Sequence, residues 1–272
     1  MKKRLNIISN LLLVIAVLLC SYPLLCELNQ SHSQKDALST YQSEISQTEE
    51  IDFEKIFQDA NEYNENLYSS RGAYIGEVEV NEYDDLLNPQ GNGLMGFIEI
   101  PKIDVNLPIY HGCDDGVLNT AIGHVEGSSL PVGGVNTRSL LSGHCGLPHA
   151  KLFTRLDELD TGDLFYIIVL DQTLAYEIYD IQVIEPDDIN TVQIIESEDL
   201  VSLITCTPFG INTHRLVVTG KRIDYIEQEY KEIEKSIGSP REILINSLPF
   251  LIIGVATLTY IKERSKKDEA KN

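Results

Sequence analysis

Cys206 closes an apolar run, LVSLITCT, at a point where Thr207 and Pro208 stop a strand and leave the thiol near its rim. A thiol is a good nucleophile only as thiolate, so chemistry here needs a basic or cationic neighbour. Arg215 opens the next run, RLVVTGKRI, nine residues further on, after the loop TPFGINTH. If the two runs are neighbouring strands, that loop folds thiol and guanidinium to the same end of a sheet. Arginine would there offer fixed, permanently charged donors to an oxyanion, in a planar fork that lysine does not reproduce. The base candidate is His144 in LLSGHCGLPHAKLF, where Ser142 and Gly143 end a strand and expose an imidazole suited to proton exchange near neutrality. The competing reading of a lone strand-end cysteine is a small buried hydrophobe. His32, His111, His124, His149 and His214 compete for the role of base. His214, next to Arg215, is expected on the opposite strand face.

These groups have to be carried by short runs rich in Val, Ile and Tyr: MGFIEIP, VNLPIYHG, SLLSGH, GDLFYIIVL, LAYEIYDIQVIEP, LVSLITCT and RLVVTGKRI. Bounded by Gly, Pro and Asp at close intervals, they predict a mainly β domain, a closed barrel or sandwich. KLFTRLDEL suggests a short helix. Upstream, Ser31 to Leu67 is polar and acidic, with apolar residues at Ile45, Ile51, Phe53, Ile56, Phe57, Tyr63 and Leu67 at helical spacing. That segment is either a stalk or a helix packed against the catalytic domain. Ser69 to Gly93, punctuated by Gly72, Gly76, Pro89, Gly91 and Gly93, reads as a connecting loop. No internal repeat is evident.

The 272 residues suffice for one domain with accessory segments. Leu5 to Cys26 and Ile243 to Ile261 lack charges and are long enough to cross a hydrocarbon core of roughly 30 Å. Lys2, Lys3 and Arg4 precede the first, and Lys262, Arg264, Lys266, Lys267 and Lys271 follow the second, which predicts two transmembrane helices with both termini cytoplasmic. A cleaved signal peptide is the alternative for the first run, but no small-x-small exit stands around Ser21 to Glu27. Glu27 to Pro240 would then form an extracellular domain carrying 12 Lys and Arg against 38 Asp and Glu, a formal charge of −26. Such acidity excludes nucleic acid as an expected partner. Of five cysteines, Cys20 and Cys26 lie in the first run and Cys113, Cys145 and Cys206 outside it. The odd number leaves at least one thiol unpaired within the chain.

MGFIEIPKIDVNLPIYHG, GHVEGSSLPVGG, SGHCGLPHAKLFTRLDEL and TCTPFGINTHRL closely resemble successive blocks of the class C, pilus-assembling sortases, in the family's order, from about Gly93 to Arg222. The second hydrophobic run is also typical of that class. The resemblance implies an eight-stranded sortase β-barrel with short helices, and a catalytic trio matched by His144, Cys206 and Arg215. It implies a cysteine transpeptidase that cleaves an LPXTG-like sorting signal between Thr and Gly through a thioester, and passes the acyl group to a pilin lysine without a cofactor. Attachment of surface proteins to cell-wall peptide is the alternative within the family, and a tethered, non-catalytic surface binding protein the alternative outside it. Two departures stand out. Cys145 follows the histidine where the family commonly has arginine, and Ser69 to Pro89 holds no Asp-Pro-aromatic lid sequence, Tyr74 being the nearest aromatic.

The expected organisation is a cytoplasmic terminus (1–4), a membrane helix (5–26), a stalk and lid-equivalent loop (27–92), the barrel (93–226), a linker (227–242), a second membrane helix (243–261) and a basic tail (262–272). L,D-transpeptidases also combine Cys, His and Arg, but there the arginine follows the cysteine almost directly. A metal site drawing on His111, Cys113, His144, Cys145 and His149 would lack familiar zinc spacings. Pairing of Cys113 with Cys145 is left open by the sequence.

Overall fold

The structure is a computed structural model, and it describes residues 11–22, 25, 39–41, 43, 52–71, 83–147, 150–233 and 240–269. The chain divides into two compact units, residues 30–236 and the two termini, 1–29 with 237–272.

Eight strands build the larger unit: β1 (Leu94–Ile100), β2 (Val105–His111), β3 (Ile122–His124), β4 (Thr137–Ser142), β5 (Leu164–Val169), β6 (Gln172–Ile184), β7 (Asp199–Thr207) and β8 (His214–Ile223). They close into a barrel in the order β1-β2-β3-β4-β7-β8-β6-β5. Pairs β2/β3 and β4/β7 are parallel and the other ladders antiparallel. Closure leaves no unpaired edge to be protected. The inward residues include Ile98, Phe165, Ile167, Leu203 and Val218, all fully buried, while Phe97 packs from the other face of β1 against Tyr41. Each such side chain contributes about 1.5–3 kcal/mol of apolar transfer. Of the eight strands, β3 is absent from the apolar runs of the sequence, because three residues of which one is glycine make no periodic signal.

Helix α1 (Phe53–Arg71) has Ala60, Tyr63 and Leu67 in the core, with Phe53, Ile56 and Phe57 packed against it. Asn64 receives the backbone amide of Leu130 at 2.7 Å and donates to its carbonyl at 3.2 Å. Of the two readings of this segment, the docked helix is the one observed. KLFTRLDEL forms no α-helix: Leu152 takes a left-handed φ of 39°, and only a 3₁₀ turn, Leu156–Glu158, follows. Short helices α2 (Asp115–Leu118) and α3 (Glu227–Glu232) flank β3 and follow β8. Tyr230 of α3 donates to Glu99 of β1 at 2.8 Å.

In the smaller unit the structure describes a helix over residues 11–22 and helix α4 (Pro240–Glu269). Among the described residues no helix is long and apolar enough to cross a membrane, so the two expected transmembrane helices are not supported. The described N-terminal helix spans about 18 Å at roughly 1.5 Å per residue, and the rest of that run lies outside the described residues. Helix α4 is longer, but Pro249 stands inside it and its last third is charged. The lid-equivalent residues 72–82, with Tyr74, also lie outside the described residues.

Candidate active site

Strand β7 ends where the Thr207–Pro208 peptide is cis and the chain turns, with Ile211 and Asn212 both donating to the Pro208 carbonyl at 3.0 and 2.9 Å. Gly210 and Asn212 supply the left-handed φ values of that turn, 76° and 61°. The returning β8 pairs antiparallel with β7, and the register places Cys206 directly opposite Arg215. Opposed residues of an antiparallel pair share a face, their Cβ atoms about 5 Å apart. Thiol and guanidinium are thereby brought together from positions nine apart in the sequence. Both are half-buried, the thiol is free, and Arg215 donates one Nη1 bond, at 3.1 Å, to the His214 carbonyl.

His144 lies two residues past the end of β4, the parallel neighbour of β7. The ladder pairs Ser142 with Ile204 and is extended by Gly143, whose N–H donates to the Ile204 carbonyl at 3.0 Å and whose carbonyl accepts from the Thr205 hydroxyl at 2.7 Å. The pairing itself ends at Ser142 and Ile204, so His144 and Cys206 each lie two residues beyond the last paired residue of their strands. A larger residue at Gly143 would force its neighbours to shift, since a Cβ there would lie 2.6 Å from Ile122 Cδ1 and 2.8 Å from Phe153 Cδ2. Beyond it, Phe153 N donates to the His144 carbonyl at 3.1 Å and closes the loop back on itself.

The other described histidines are engaged elsewhere. His111 has Nδ1 against the Gly93 carbonyl at 3.0 Å and Nε2 against the Leu86 carbonyl at 2.7 Å. His124 is fully buried, with Nε2 on the Ser129 carbonyl at 2.8 Å and Nδ1 on the Tyr83 hydroxyl at 2.7 Å. A carbonyl can only accept, so Nε2 carries the proton and Nδ1 accepts from tyrosine. Burial pushes this imidazole down to about 4. His214 faces Glu185 at 3.4 Å and Thr213 at 2.9 Å. His149 and His32 lie outside the described residues. Among the described residues the His144 ring makes no side-chain hydrogen bond, which leaves its nitrogens available.

Cys113 and Cys145 are not joined by a disulfide. Cys113 is exposed as a residue, but its sulfur lies against Gly123, where desolvation, with Asp114 adding to it, pushes the thiol up to about 11. Among the described residues no group of three His, Cys, Asp or Glu side chains could hold a metal. A cavity of about 990 Å³ between α1 and the β5–β6 turn, lined by Phe57, Glu65 and Asp171 among others, contains no cysteine or histidine. The sequence singled out Gly143 only as a strand end, and Thr205 and Phe209 not at all. The available signal for Thr205 was strand alternation alone, which puts it on the face opposite to Cys206.

A sortase-domain family model matches residues 98–223, the span from β1 to the end of β8. Sortase D of Bacillus subtilis (strain 168) is 31% identical over 138 residues, which are 50% of this chain and 67% of that protein. Among solved structures, sortase C1 from Streptococcus agalactiae is 42% identical with a TM-score of 0.67, over 70% of this chain and 100% of that one. Sortase C of Clostridium perfringens, solved with the C-terminal cell wall sorting motif, is 40% identical with a TM-score of 0.62, over 70% of this chain and 99% of that one.

Proposed function

This chain belongs to the sortase family of cysteine transpeptidases, and from that premise we propose that it is a class C enzyme working through Cys206, His144 and Arg215 on LPXTG-like sorting signals. The observation that carries the reading is the pairing of Cys206 with Arg215 across β7/β8, with Gly143 clamped to the neighbouring residues of β7 just before His144.

In this reading the Cys206 thiolate attacks the carbonyl carbon of the signal's threonine. The developing oxyanion faces the Arg215 guanidinium, whose charge and paired donors stabilise it. His144 gives its proton to the departing glycine amine, the C–N bond breaks, and a thioester remains. A lysine amine of a second pilin then attacks the thioester carbon and yields a proton to His144. The C–S bond breaks and the thiolate returns. One amide is exchanged for another, without redox change or cofactor. Partners are accordingly pilin or surface proteins with such signals and an acceptor amine.

The acceptor class follows the class C neighbours at 38–43% identity. Association with a membrane surface is part of the proposal: exposed apolar side chains at Leu12, Leu18, Phe250 and Leu258 are of the kind that seeks an apolar phase. The test is a transfer assay with an LPXTG-bearing donor and two acceptors, a pilin presenting its lysine and a cell-wall peptide amine. Product with the pilin, lost in Cys206→Ala, supports the proposal; product with the wall peptide alone assigns the enzyme to wall attachment, and turnover by Cys206→Ala overturns the site.

A further inference from the structure

The histidine and the cysteine of the proposed site come from different strands, and the ladder that joins those strands ends before either residue is reached. Pairing of β4 with β7 stops at Ser142 and Ile204. What lies beyond is held by one backbone bond, from Gly143 N–H to the Ile204 carbonyl at 3.0 Å, and by two side chains of the cysteine's own segment. Thr205, 4% exposed, donates its hydroxyl to the Gly143 carbonyl at 2.7 Å. Its backbone neighbours differ in direction: Cys206 turns to the rim while Thr205 shares the inner face of Leu203 and Val201. Phe209, three residues past the thiol, lies over Gly146, two residues past the histidine. A Cβ at Gly146 would sit 3.1 Å from Phe209 Cε2 and 3.4 Å from Cζ, so the ring, itself 43% exposed, lies close over the side-chain position of that glycine. Gly146 has a φ of 79°, and its N–H donates to Thr154 Oγ1 at 2.9 Å, which fixes the far side of the same loop.

We infer that Thr205 and Phe209 are positioning residues, a two-point clasp by which the cysteine segment sets the His144 loop. The hydroxyl fixes the peptide immediately before His144, and the ring fixes the peptide two residues after it. Neither group is placed on the reacting atoms, and both act through the histidine. The inference rests on the proposed roles of Cys206 and His144. A histidine displaced by even an ångström loses much of its value as a proton-transfer partner.

Full-length protein carrying Thr205→Val, Thr205→Ser, Phe209→Ala or Phe209→Tyr is assayed with an LPXTG peptide, rates being normalised to reactive Cys206. Thr205→Val and Phe209→Ala are expected to lower kcat at least about tenfold with KM within about threefold, and Thr205→Ser and Phe209→Tyr to restore most of it. The second readout is alkylation of Cys206 by iodoacetamide, quantified on its own peptide so that Cys113 and Cys145 do not contribute. With His144 present each damaging substitution changes that rate; in a His144→Ala background it adds less than about twofold, since its route of action is gone. If Thr205→Val does not accumulate folded, Thr205→Ala removes the same hydroxyl and is read in the same way. Equal changes with and without His144, or a rise in KM at unchanged kcat, would overturn the clasp. Activity in Cys206→Ala would instead overturn the reading on which it rests, so the two failures are distinguishable.

Discussion

His124 and His144 sit at the ends of paired strands, where Gly123 opposes Ser142 and His124 opposes Leu141, yet their surroundings are built to opposite ends. Around His124 every polar atom is used. One ring nitrogen donates to Ser129, the other accepts from Tyr83, and the Tyr83 ring stacks on the imidazole at 5.7 Å while meeting His111 edge-on at 4.9 Å. Tyr83 also receives the Gly112 amide at 3.3 Å. Around His144 only the backbone is tied, through Gly143 before it and Phe153 after it, and the ring is left with its nitrogens open on a half-buried rim. The first arrangement turns a titratable side chain into a neutral structural strut. The second fixes a position while leaving the group free to exchange protons.

Removing the reactive groups is the harshest way to break this contrast. Cys206→Ala and His144→Ala are each expected to abolish transpeptidation in a peptide-release assay while leaving the circular dichroism spectrum and melting behaviour near those of the parent. Members of a catalytic unit are strongly non-additive, so the double substitution should be no worse than either alone. Arg215→Lys keeps a charge and loses the paired donors; a fall in kcat of about 10²–10³ is expected, the scale of one lost oxyanion donor. A near-normal rate would reduce Arg215 to a structural role.

On the structural side, the buried His124 sharpens the comparison through pH. Its folded-state pKa of about 4 lies below the usual 6.5, because burial disfavours the cation, with His111 adding to the effect. A depressed base binds its proton more readily in the unfolded chain. The stability it contributes is therefore complete above about 6.5 and is lost as pH falls towards about 4. That loss amounts to about 3 kcal/mol at most, at roughly 1.36 kcal/mol per unit. Denaturant titrations at pH 7 and pH 4.5 should show it, and His124→Gln should remove most of the difference. The smallest effect is expected from Cys113→Ala and Cys145→Ala, which should keep activity within a few-fold of the parent. Inactivity of either would put the choice of nucleophile in question.

Much of this was legible in the chain. The run LVSLITCT, its break at Pro208 and the return RLVVTGKRI were enough to expect β7 beside β8 with Cys206 and Arg215 at one end, because a hairpin is a local event whose register follows from its turn. The placement of His144 was not, since it depends on a parallel pairing of β4 with β7 across 62 residues between Gly143 and Thr205, and no local pattern encodes a parallel partner. The same applies to β3, too short to show a period, and to the helix read from KLFTRLDEL, where the left-handed Leu152 overrides a helical spacing. The docked helix α1 was visible only as one of two options, for its apolar stripe says that a face is buried but not against what.

The central claim is that the thiol at the end of β7 forms the acyl bond. Intact-mass and peptide-level mass spectrometry of the full-length protein, quenched in acid during turnover of an LPXTG peptide, reads it directly. The account predicts one adduct of the peptide's acyl portion, located at Cys206, released by hydroxylamine and absent from Cys206→Ala. An adduct on Cys113 or Cys145, or one that persists in Cys206→Ala, would contradict it.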